Sequence, residues 1–145
     1  MAKFSNYFSY KSFFIAVFVL SVLTLVLMLF PEIGSVLGPN ILFLWSLLII
    51  SGAGLVVATY KEKPETRKLR FFLLLTGYSA AGFVLGVVLH NAFYALAMLA
   101  VDIPALPAVL NILEVGFFLV AVILCPLGLL VGLIGTIVMW KKFIS

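Results

Sequence analysis

The sequence predicts an all-α fold: an integral membrane four-helix bundle, N-in/C-in, with an over-long third/fourth helix hairpin capped at the outer face. Three observations lead there. The 145 residues are 66% hydrophobic and only 10% charged, where a water-soluble domain carries about a quarter charged residues. With so little polar surface available, lipid has to be the solvent. The apolar runs are unbroken rather than alternating, which selects helical spans over a β-barrel. Finally, the nine Lys and Arg residues all stand at the ends of apolar runs.

Length allows one domain, so residues 1–145 are read as a single four-span unit. Residues Met1 to Ser12 mix Lys3 and Lys11 with Phe4, Tyr7, Phe8 and Tyr10, a composition suited to the headgroup boundary. The first span follows over 13–30 and ends at Pro31. Its apolar run exceeds a usual signal-peptide core and no Ala-x-Ala-like site comes after it, so an uncleaved span is expected. The residues 31–40, with Glu32, Gly34, Gly38 and Pro39, make a short turn. The second span covers 41–60, with Trp45 and Tyr60 toward its two ends. Ser51, Gly54 and Ala58 recur at three- and four-residue steps and predict a small-residue packing stripe.

The hydrophilic loop 61–70 carries five basic residues (Lys61, Lys63, Arg67, Lys68, Arg70) against Glu62 and Glu65. The third span runs over 71–99 and the fourth over 109–140, closed by Lys141 and Lys142. The N-terminal segment, the 61–70 loop and the C-terminal end hold all the basic residues, whereas the two opposite turns hold only Glu32 and Asp102. The positive-inside rule then makes the basic side cytoplasmic, in a multi-pass protein of the cytoplasmic membrane. The net charge of +4 serves topology and lipid headgroups, and no nucleic-acid partner is expected.

The unusual residues gather in the 70–142 hairpin. A span needs about 20 residues, and the third and fourth each exceed that by about ten. The outer part, roughly 91–118, is therefore expected as an interfacial or re-entrant cap. Pro104 and Pro107 suit a break there, with Asp102 as N-cap. Gly82, Gly86 and His90 are spaced i, i+4, i+8. Glu114, Ala121, Cys125, Gly128 and Gly132 follow seven-, four- and three-residue steps. Both ionisable side chains thus lie on small, protein-facing stripes, as the cost of exposing charge to lipid demands.

Counting at 1.5 Å per residue, His90 lies ~30 Å from Arg70 and Glu114 ~40 Å from Lys141. That mismatch opposes a direct contact unless a kink at Pro126, which removes the bond to the Val122 carbonyl, or a bridging water closes it. His90 is accordingly read first as a structural imidazole bonded to a neighbouring carbonyl or hydroxyl, ahead of a proton carrier. Glu114 is read equally as a hydrated interfacial residue and as a functional one. Asn91 and Asn111 are expected to be interhelical hydrogen-bond glue, and Cys125 a small core residue. The candidate polar site is therefore His90, Asn91, Asn111 and Glu114; the packing residues are Gly82, Gly86, Gly128 and Gly132.

No phosphate-cradling Gly-rich loop, Cys-x-x-Cys, His-x-x-x-His or Gly-x-Ser-x-Gly occurs. One His and one Cys make no metal site within a monomer. A bis-histidine haem would need two copies sharing His90. No cofactor is expected, and these features weigh against an enzyme.

Leu73-Leu-Leu-Thr-Gly-Tyr-Ser-Ala-Ala-Gly-Phe83, Leu89-His-Asn-Ala-Phe-Tyr94 and Val122-Ile-Leu-Cys-Pro-Leu-Gly128 resemble uncharacterised small four-span prokaryotic membrane proteins. The resemblance covers about the second half of the chain and implies no activity. The expected function is structural or accessory, packing against itself or a larger membrane partner. The alternative is a small homo-oligomeric transporter or channel with a polar path at His90 and Glu114.

Overall fold

The computed structural model describes residues 9–30, 32, 38 and 40–144, side chains 28 and 141–144 excepted. The expectations for residues 1–8, for most of the 31–40 turn and for the Lys141 and Lys142 side chains lie outside the described residues. Helix α1 (Tyr10–Leu29) begins at Ser9, whose hydroxyl accepts from the Lys11 N–H. The Tyr10 N–H donates to Glu62 Oε1 at 3.2 Å, so a carboxylate from the far end of the next helix satisfies another free donor of the first turn. Helix α2 is Asn40–Glu62. Helix α3 (Arg67–Leu99) is capped by Thr66, whose hydroxyl accepts from the Leu69 N–H, a bond worth about 1 kcal/mol.

The fourth rod comprises helix α4 (Leu106–Leu119), a π-helical turn (Val120–Leu124) and helix α5 (Cys125–Ile144). Four rods are long and apolar enough to cross a membrane, and no strand occurs among the described residues. Each rod presents large apolar side chains outward, such as Ile15, Phe43, Leu85 and Ile134. Lipid, not water, suits that surface.

Helix α3 packs on every other rod. Its buried face (Leu69, Leu73, Thr76, Ala80, Val84) meets Leu48 and Leu55 of α2, Val17 of α1 and Leu133 of α5. Buried hydroxyls are satisfied locally where they are paired: Thr76 Oγ1 donates to the Phe72 carbonyl at 2.8 Å. The basic-loop ends of the rods are flush, because Trp140 stacks on Tyr10 and meets Phe14 edge-on. The excess length of α3 and the fourth rod therefore lies at the other end.

Two expectations about that end are corrected. Helix α3 runs unbroken to Leu99, and α4 starts at Leu106, so the hairpin end away from the basic loop is two helices joined by a short turn, with no re-entrant break. The turn between them is made by backbone, with Ile103 N–H on the Ala100 carbonyl and Ala105 in the left-handed region at φ 65°. Ala105, not Asp102, is the N-cap of α4, with Pro107 in the first turn as anticipated. The Asp102 side chain is unused because it stands three residues before the cap.

Pro126 produces the π turn. The Cys125 N–H bonds the Val120 carbonyl five residues back. The wider turn makes room for the proline ring just where a regular α-helix would press it on the Val122 carbonyl. One extra residue is thus absorbed without a full residue of axial advance.

Candidate functional site

Gly82, Gly86, Gly128 and Gly132 of the 70–142 hairpin line one intramolecular seam. A Cβ on Gly86 would stand 2.9 Å from the Ala121 Cβ, and one on Gly82 would stand 3.1 Å from Cys125 Sγ. Gly128 faces Ser79, and a Cβ on Gly132 would fall 2.8 Å from the Thr76 nitrogen and 3.1 Å from the Phe72 carbonyl oxygen. Each glycine is opposed by a small or hydroxylated residue of the other rod, so the two Gly-x-x-x-Gly pairs do not face one another. The seam is the small-residue packing that close helix approach in lipid requires.

A second close approach escaped the sequence reading. Cβ atoms on Gly52 and Gly77 would each stand 2.8 Å from the other's carbonyl oxygen, so these two glycines set the α2–α3 distance. Gly54, by contrast, faces Phe13 of α1. Neither Gly52 nor Gly77 has a glycine four residues away, which removes the usual signal.

At the end away from the basic loop the seam brings His90 and Glu114 together. His90 Nδ1 lies 3.3 Å from the Glu114 carbonyl oxygen and 3.5 Å from Glu114 Oε1. The side chains are 27% and 19% exposed, so the pair is partly enclosed and not sealed. The His90 ring also rests on Phe118 at 5.2 Å, and Phe93 stacks on Phe117 at 5.4 Å one turn away. The axial count failed because it set Arg70 level with Lys141. The seam pairs Thr76 with Gly132 and Ser79 with Gly128, a register that sets Arg70 level with about Ile137. The fourth rod therefore starts roughly one turn lower than assumed, ~6 Å, and the π turn absorbs part of the remainder.

The asparagines do not join the pair. Asn91 donates Nδ2 to the Val87 carbonyl of its own helix at 2.8 Å, correcting the interhelical role expected of it. Asn111 is exposed, one turn before Glu114 on α4. Among the described residues no three His, Cys, Asp or Glu side chains cluster as a metal would require. What the His90–Glu114 arrangement can do is tie two helices together at one polar spot.

Its level in the bundle follows from α2. Gly52 meets Gly77, and Trp45 meets the Phe83 ring edge-on at 6.3 Å, so the first residue of α2, Asn40, is level with about Leu89. His90 and Glu114 sit where α2 begins, and the hairpin continues past them. Compared with known proteins, the chain matches no family model, no curated protein and no solved structure.

Proposed function

We propose that this protein is a small accessory component of the cytoplasmic membrane, N-in/C-in, whose outer hairpin packs against a second copy or a larger membrane protein. The observation that carries this reading is the unaccompanied hairpin. Helix α1 has 20 residues and is ~30 Å long, matched to the hydrocarbon. Helix α3 has 33 residues, ~50 Å, and a tilt of about 20° shortens its reach by only a few Å. Beyond the level of Asn40 the hairpin remains apolar: Leu99 is 84% exposed and Ile112 72%, and no residue of α4 is buried. Apolar surface that exceeds the bilayer needs a protein cover, and an accessory role supplies it. Gentle extraction from the native membrane tests this: a stoichiometric membrane partner or a second copy is expected, and a lone monomer contradicts it.

The second reading, a homo-oligomeric transporter or channel, is favoured by the His90–Glu114 contact. An ionisable pair in an otherwise apolar hairpin is the usual seed of a polar path. Loss of a proton-coupled flux in proteoliposomes on His90→Ala or Glu114→Gln, with the fold intact, would favour it; a loss of thermal stability alone favours the accessory reading.

A further inference from the structure

We infer that the loop-side ends of α2 and α3 form a binding site for one anionic phospholipid, built from Arg70, Tyr60 and Tyr78. The Arg70 guanidinium lies over the Tyr60 ring, 5.1 Å from its centroid. The ring fixes the cation through its face and leaves the N–H edges free. No carboxylate among the described residues pairs with it, and Arg67 stands one turn earlier on the same side of α3. The site thus holds an uncompensated, pre-oriented positive charge at the edge of the bilayer.

The hydroxyls of Tyr60 and Tyr78 lie 3.5 Å apart, longer than the 2.5–3.0 Å of a good O–H···O bond. The contact is a long hydrogen bond in which one phenol donates to the other, and the second phenol keeps its O–H to donate to a third oxygen. Their orientation follows from helix direction. Side chains lean toward a helix's N-terminus, so Tyr78 on α3 leans toward the basic loop, while Tyr60 on the antiparallel α2 leans toward the bilayer. The rings are 47% and 55% exposed on the lipid-facing surface. Arg70, Leu74 and Tyr78 follow at four-residue steps and form one stripe beside Tyr60.

The stripe matches a phospholipid from headgroup to chain. Arg70 and Arg67 take the phosphate at headgroup level. The phenol pair, deeper, donates to a glycerol-ester carbonyl, and Leu74 with the exposed rings borders the acyl chains. A free phosphate would engage only the cations. A headgroup whose phosphate charge is uncompensated is favoured over a zwitterionic one, because the Tyr60 face is already taken by Arg70 and no carboxylate among the described residues pairs with that cation to receive an ammonium in its place.

Native mass spectrometry of the detergent-solubilised chain with equimolar phosphatidylglycerol and phosphatidylcholine tests the site. The first bound lipid is expected to be phosphatidylglycerol by about tenfold. Arg70→Gln should abolish the preference, Arg70→Lys should retain part of it, and Tyr60→Phe with Tyr78→Phe should weaken retention several-fold while leaving helicity by circular dichroism unchanged. Lys68→Gln, on the far side of α3, should leave it intact. Equal losses for Lys68→Gln and Arg70→Gln would reduce the effect to diffuse charge and overturn the site. So would equal protection of the chain by millimolar inorganic phosphate without lipid, or retention unaltered in the double tyrosine variant.

Discussion

His90 and Glu114 meet across the α3–α4 seam, with Nδ1 3.3 Å from the Glu114 carbonyl oxygen and 3.5 Å from its carboxylate. The contact to the carbonyl means that the imidazole holds the backbone of α4 as well as its side chain. His90→Ala is therefore expected to lower stability by about 0.5–1.5 kcal/mol, read as a shift of the thermal unfolding midpoint in detergent. Glu114→Gln should cost less, because the carbonyl contact survives it. Equal losses would show that the carboxylate carries the interaction.

The glycine seam makes a graded prediction. A Cβ on Gly132 would meet backbone atoms, the Thr76 nitrogen at 2.8 Å and the Phe72 oxygen at 3.1 Å. Backbone cannot rotate away, so Gly132→Ala should destabilise by about 1–3 kcal/mol. Gly116→Ala meets nothing within 4 Å and should be neutral or slightly stabilising. Steric trapping or thermal unfolding of the two variants side by side checks the order.

Pro126 has a longer reach than its position suggests. In Pro126→Ala the new N–H permits a regular α-helical register. Losing the π turn would rotate α4 by about 100° relative to α5, carrying Glu114 away from His90. Cysteines replacing both residues in a Cys125→Ser background should crosslink with a short bismaleimide. That yield should fall sharply once Pro126→Ala is added; an unchanged yield would show that the π turn persists without proline.

Much of this architecture can be read from the residues, and the failures have physical causes. Four apolar runs bounded by charge declare four helices, because lipid permits few alternatives. The position of the hairpin turn follows from Pro104 and Pro107, but its cap is set by the backbone conformation of Ala105, which no side-chain rule reports. The His90–Glu114 contact was obscured by taking flanking cations as depth markers. Lysines and arginines snorkel and tolerate a turn of stagger, whereas the glycine contacts that fix the true register become visible only with the partner rod in place. Gly52 and Gly77 show the same limit: each is a lone glycine until the other is opposite it.

Orientation gives a direct labelling experiment. With the 61–70 loop inside, a cysteine at Glu65 should resist an impermeant maleimide in intact cells and react after lysis. One at Asp102 should react in both, with Cys125→Ser as background. Reaction of the Glu65 position in intact cells would invert the topology.

Whether protein covers the exposed α3–α4 hairpin is read most directly by site-specific photocrosslinking from Ile112, 72% exposed on α4, in the native membrane. The accessory reading predicts a discrete protein adduct, either at twice the chain's mass or joined to one larger membrane protein. A matched probe at Ile15 on α1 should give lipid adducts alone. Lipid adducts alone from Ile112 as well would contradict the claim that this hairpin is covered by protein.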